Sequence, residues 1–129
     1  MSVPEKEKHW EVIVHDDFAQ EFRGFSKAIQ DALFALLIKL RQFGPQLGRP
    51  DVDTLKGSRY PNMKELRHKS SDGVWRVAFA FDPKRRAILP VGGSKAGVSQ
   101  KRFYKNLIRE ADERFDRHLA TIAKERKME

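Results

Sequence analysis

The chain has 129 residues, room for one hydrophobic core and not for two full-sized domains. It is 40% hydrophobic and lacks cysteine, which excludes wholesale disorder, disulfide scaffolds, thiolate zinc sites and a cysteine nucleophile. The net charge of +8 is unevenly spread: residues 1–55 hold 7 basic and 9 acidic side chains and residues 56–129 hold 19 and 9, so the excess either serves solubility or belongs to a surface that meets a polyanion or an acidic protein.

Residues 1–9 are polar, have no apolar signal-peptide core and read as a loose end. No apolar run approaches a membrane span, so a soluble, cytoplasmic protein is expected. Trp10–His15 is rich in strand formers. Asp16-Asp17 can cap a helix running from Phe18 to Phe25, and Ser26 caps a second. In that second helix Ile29, Leu33, Leu36, Leu37, Leu40 and Phe43 keep three- and four-residue spacing until Gly44-Pro45 stops it. Gln46 to Pro61, with Gly48, Pro50 and Gly57, reads as a long loop.

From Met63 the pattern changes to strands. Met63–Lys69 is a short mixed segment, Ser70 to Gly73 a turn, and Val74–Phe81 a strand with Trp75, Val77, Phe79 and Phe81 on one face and Val74, Arg76, Ala78 and Ala80 on the other. Asp82 to Arg86 turns into a last strand over Ala87–Gly92, and Gly92 to Gly97 reads as flexible. Ser99 caps a closing helix whose buried stripe is Phe103, Leu107, Ala111, Phe115, Leu119 and Ile122. The expected fold class is α+β: a small antiparallel sheet, two N-terminal helices packed on it and a C-terminal helix, in a single domain over 1–129.

None of His9, His15, His68 and His118 pairs at metal-ligand spacing, and Gly92-Gly93-Ser94-Lys95 completes no phosphate-binding loop, so neither a metal nor a cofactor is expected. Basic side chains crowd the strands instead: Lys64, Arg67, His68 and Lys69 on one, Arg76 within the next, Lys95 after the last. A mid-strand arginine needs a reason. Arg76 either pairs with a carboxylate such as Glu65 or Asp82, or is solvated on an open face, or converges with Arg67 and Lys95 on one phosphate, which guanidinium forks suit. On the closing helix Lys101, Arg102, Lys105, Arg109, Arg114 and Arg117 alternate with acids, as on a solvated face. Tyr104, in its first turn, can face core or cleft.

Met63-Lys64-Glu65-Leu66-Arg67, Val74-Trp75-Arg76-Val77 and the run from Gly93 to Lys105 together resemble the RelE/ParE superfamily of toxins from type II toxin–antitoxin systems, in its HigB-like, phage-related branch. The resemblance spans roughly residues 10–122 and implies a RelE-like fold. It also implies a ribosome-dependent, metal-free messenger-RNA endonuclease in which the RNA's 2′-hydroxyl attacks the adjacent phosphate. The implied partners are a helix-turn-helix antitoxin, the ribosome and messenger RNA, with operator DNA bound only through the antitoxin. By the same resemblance Arg67 and Arg76 would hold the phosphate, Lys95 add charge, Tyr104 stack on a base or assist proton transfer, and Lys64 or His68 act as general base. Lys56, Arg59, Lys69, Lys101 and Arg102 would bind RNA. The ParE branch shares the fold and poisons DNA gyrase, and a phage-derived nucleic-acid-binding protein is a further alternative. Two departures mark this chain: Lys64 and Lys69 are not a tight pair, and no histidine lies near the last strand.

Overall fold

The computed structural model describes residues 9–71 and 73–128. Five strands form one sheet: β1 (Val12–Val14), β2 (Val52–Thr54), β3 (Lys64–Ser70), β4 (Gly73–Phe81) and β5 (Ala87–Ser94), in the order β1-β5-β4-β3-β2. The antiparallel expectation holds from β2 to β5, whereas β1 runs parallel to β5, so the sheet is mixed. The reason is topological: the chain leaves β1 through α1 (Asp16–Arg23) and α2 (Lys27–Phe43) and returns to its side only at β5. The α+β architecture is as the residue pattern foretold, with α3 (Gln100–Lys127) as the closing helix.

Side-chain alternation on β4 divides the core in two. Val77 and Phe79 join Phe18, Leu33, Leu36 and Leu40 under α1 and α2. Ala78 and Ala80 join Phe103, Leu107, Ala111 and Phe115 under α3. Helices thus cover both faces, and each large buried apolar side chain contributes about 1.5–3 kcal/mol. The small residues of β4 let α3 approach closely, and that places α3's first turn over Arg76.

Several boundaries shift for local reasons. His15, not Asp16 or Asp17, caps α1: its Nδ1 accepts from the Asp17 N–H at 3.2 Å, while the two aspartates fill the first turn, where the helix dipole favours them. In α2, Phe43 lies exposed at the end of the expected stripe and Leu37 only half-buried. Gly44 follows at φ 56°, where a Cβ would fall 2.3 Å from the Trp10 indole, so this stop admits only glycine. The long loop holds β2, a three-residue edge strand too short to show periodicity, pinned by Val52 and by Leu55 beyond it. Gly93 and Ser94, expected in a flexible segment, extend β5 beyond the expected end at Gly92. Pro90 sits inside this central strand at a bulge: Ala78 pairs with Val91 and Ala80 with Ile88, so β5 carries an extra residue, and the freed Pro90 carbonyl accepts from Arg114 at 3.0 Å. Residues 1–8 of the expected loose end, and Asp72 of the expected turn, lie outside the described residues.

The segment between β2 and β3 is fastened along α3. The buried Asp112 accepts from the Ser58 hydroxyl and the Arg59 N–H, and Asp116 accepts from Tyr60 and Arg59. Burial and the Asp116 bond push the Tyr60 phenol up to about 12. At the far end of α3, Asp82 takes hydrogen bonds from Arg86 and lies 2.9 Å from His118 Nε2.

Candidate active site

A cleft of about 410 Å³ opens between β2, β3 and the first turn of α3. Alternation on β3 turns Leu66 into the α1–α2 core and sends Glu65 and Arg67 the other way, into this cleft. Arg76 stands directly across from Arg67. Two like charges in facing register repel, and each is answered by its own carboxylate. Arg76 Nε lies 3.4 Å from Glu65 Oε1, and Arg67 lies 3.7 Å from Asp53. On its other side Arg76 faces Gly93, which has no side chain to compete for that space.

The cleft floor is a buried polar cluster. Tyr104 donates its hydroxyl proton to Glu65 Oε1 at 2.7 Å and accepts from Arg76 Nε at 3.2 Å, and Arg76 Nη1 donates to the Trp75 carbonyl at 2.9 Å. The Glu65 and Arg76 side chains are each only 7% exposed. Burial, then the bond to Glu65, raises the Tyr104 phenol above its ordinary 10.0. Lys95 Nζ sits 4.8 Å over the Tyr104 ring. Partial burial, then the nearby Arg76 charge, lowers the Lys95 ammonium below its ordinary 10.5, against the opposing pull of Glu65. Asp53 is held below its ordinary 3.8, chiefly by the Thr54 N–H and then by Arg49. The cleft thus presents Arg67 and Lys95 as accessible cations over a locked arginine–tyrosine–carboxylate floor, suited to a phosphate group beside a proton acceptor.

The structure brings together Arg67, Arg76, Lys95 and Tyr104, with Lys56 at the rim. Lys64 and His68 do not line this cleft. Both alternate with Arg67 along β3: Lys64 faces Phe79 of the α1–α2 core, and His68 lines a second groove against α2 that Arg67 and Arg76 also line. Lys69 lines that second groove too. Arg59 is tied to Asp116 and lies over the Tyr60 ring, beside the middle of α3 rather than at the cleft. Lys101 and Arg102 are exposed in the first turn of α3. Arg76 does have the carboxylate partner Glu65, whereas Asp82 serves Arg86 and His118. What the residue pattern missed was Glu65 as part of the site, together with Asp53 and Gln100. For Glu65 the signal was there: it shares a strand face with Arg67, two residues on. Among the described residues, no three His, Asp or Glu side chains gather as metal ligands, and no helix is long and apolar enough to cross a membrane.

Comparison with known proteins fits this geometry. Residues 20–116 match the family model "Phage derived protein Gp49-like (DUF891)". The chain belongs to the Gp49-like family. Its Gp49-like sequence is 45% identical over 98 residues to HigB2 of Mycobacterium tuberculosis (strain ATCC 25618 / H37Rv), covering 75% of this chain and 48% of that one. It is 50% identical over 82 residues to HigB3 of the same strain, covering 64% of this chain and 69% of that one. Both are described as candidate toxins, and the chain spans about half of the first and about two-thirds of the second. The HigB-like resemblance is therefore borne out. The fold is that of free Escherichia coli toxin RelE carrying two arginine-to-alanine substitutions, at TM-score 0.57 and 12% identity over 78% of this chain and 94% of that one. It is also that of a chain in the intact E. coli RelBE toxin–antitoxin complex, at TM-score 0.52 and 13% identity over 66% and 95%.

Proposed function

We propose that this Gp49-like protein is the toxin of a toxin–antitoxin system, a ribonuclease that cleaves messenger RNA on the ribosome without a metal. The observation that carries this reading is the pairing of two accessible cations, Arg67 and Lys95, with the buried Arg76–Tyr104–Glu65 floor in one cleft. The candidate-toxin names of its relatives and the antitoxin in the RelBE complex support the biological half of the reading.

Attack of a 2′-hydroxyl on the adjacent phosphate needs a proton acceptor, positive charge on the phosphoryl oxygens, and a donor for the leaving 5′-oxygen. Arg67 and Lys95 bind the phosphate. Arg76, with Nε and Nη1 already engaged, positions Tyr104 and Glu65 and contributes its field from below. Glu65, the carboxylate on the floor, takes the 2′ proton in place of Lys64 or His68. Lys95 delivers a proton to the leaving oxygen, a task that its lowered ammonium value favours. A helix-turn-helix antitoxin that carries the operator-binding function silences the enzyme.

Induced expression followed by primer extension on cellular messenger RNA tests this. The expected result is cleavage within translated messages, reduced roughly 10²–10³-fold in an Arg67→Ala/Lys95→Ala variant of unchanged melting temperature. Intact messages accompanied by DNA-damage signalling would replace it with inhibition of DNA gyrase.

A further inference from the structure

Helix α3 carries two kinds of cation. On one side Arg114 grips both Glu21 oxygens at 2.8 Å and Arg117 reaches Asp17 at 2.6 Å, so these charges are neutralised within the fold. On the other side Lys101, Lys105 and Arg109 are exposed, and none has an ion-pair or hydrogen-bond partner among the described residues. Their four-residue spacing puts them on one stripe, about 6 Å apart along the axis, the order of the step between successive phosphates on an extended strand.

This stripe starts at the cleft. Each of its members stands one residue beyond a member of the stripe Gln100, Tyr104 and Ile108. Gln100 and Tyr104 line the cleft, and Ile108 packs toward Gly57, next to the rim residue Lys56. The acids on that flank do not compete, since Asp112 and Asp116 are held by the loop from Ser58 to Tyr60. Glu113, four residues past Arg109, ends the run. No large hydrophobic side chain is exposed between residues 100 and 127 among those described, so the flank offers charge and no apolar anchor.

We infer that Lys101, Lys105 and Arg109 form a track for the ribose–phosphate strand whose reacting nucleotides occupy the cleft. This rests on the ribonuclease reading above and extends it: the strand leaves the cleft past Gln100 and follows α3, one phosphate beside each cation. The contacts are electrostatic and carry no base preference.

The test is binding of 2′-O-methyl oligouridylates of 3 and 15 nucleotides, which cannot be cleaved by 2′-hydroxyl attack, measured by fluorescence anisotropy across a salt series. For the 15-mer, Lys105→Ala/Arg109→Ala lowers the slope of log affinity against log salt by about 1.4, two contacts at about 0.7 each, equivalent to about 25-fold weaker binding at 0.1 M salt. Binding of the 3-mer stays as in the unmodified chain. A Lys124→Ala/Arg126→Ala variant removes the same charge from the far end of α3 and leaves both oligonucleotides unaffected. An unchanged 15-mer slope in the Lys105/Arg109 variant, an equal loss in the Lys124/Arg126 variant, or an equal loss for both lengths would each overturn the track. If Arg67→Ala/Lys95→Ala abolishes 3-mer binding while Lys105→Ala/Arg109→Ala changes nothing, only the track fails. If the unmodified chain binds neither length, the RNA reading of the cleft fails with it.

Discussion

Removing the Glu65 carboxylate should destabilise this protein more than any surface substitution. In Glu65→Ala the Arg76 guanidinium, 7% exposed, loses its only carboxylate among the described residues, and Tyr104 loses the acceptor for its hydroxyl proton. Breaking one half of a buried ion pair costs about 3–5 kcal/mol. Arg76 keeps the Trp75 carbonyl and the Tyr104 oxygen, and the cleft admits water, so the lower end applies, about 3 kcal/mol. For a chain of this length that corresponds to a fall in melting temperature of roughly 10 °C. Glu65→Gln keeps an acceptor oxygen and should lose less than half as much. The decisive comparison is the double variant Glu65→Leu/Arg76→Met, which leaves no unpaired charge and should recover most of the loss. Urea denaturation with fluorescence detection measures all three. A Glu65→Ala loss under 1 kcal/mol, or a double variant as unstable as the sum of its single changes, would refute the claim that the pair is a coupled buried unit.

Further outcomes follow from the same contacts. Glu65→Gln should fold yet lose cleavage by about 10²-fold or more, because the amide accepts a hydrogen bond but takes no proton; single-turnover cleavage on programmed ribosomes reads this. Burial, reinforced by Arg117 and Arg114 against the pull of Asp17, lowers His15 below its ordinary 6.5. The unfolded chain therefore binds the proton first, so this contribution to stability is complete above pH 6.5 and is lost as pH falls through the folded value. An asparagine at this cap, His15→Asn, keeps an acceptor for the Asp17 N–H and should flatten the stability–pH curve just below pH 6.5. Asp112→Ala frees the Ser58 hydroxyl and the Arg59 N–H at once and should cost about 2 kcal/mol, with faster amide exchange confined to the loop around residues 57–62.

What the sequence by itself determined was the set of elements and the residues that could bear charge in the site. Period-four stripes in α2 and α3, alternation in β4, and caps such as Ser26 and Ser99 are local signals, each set by neighbours within a few residues. They fail where a partner far along the chain decides. β2 is a strand because β3 offers it a ladder, and Gly93 and Ser94 continue β5 because β4 pairs with them. The same limit governs the site. Arg67, Arg76, Lys95 and Tyr104 were legible as charged or aromatic residues in strands and a first helical turn. Which of their neighbours shared their cleft was not, because a one-residue step along β3 reverses the face. That step brings Glu65 into the cleft lining and leaves Lys64 and His68 out of it, and it acquires meaning only once α3 covers one side of the sheet and α1 and α2 the other.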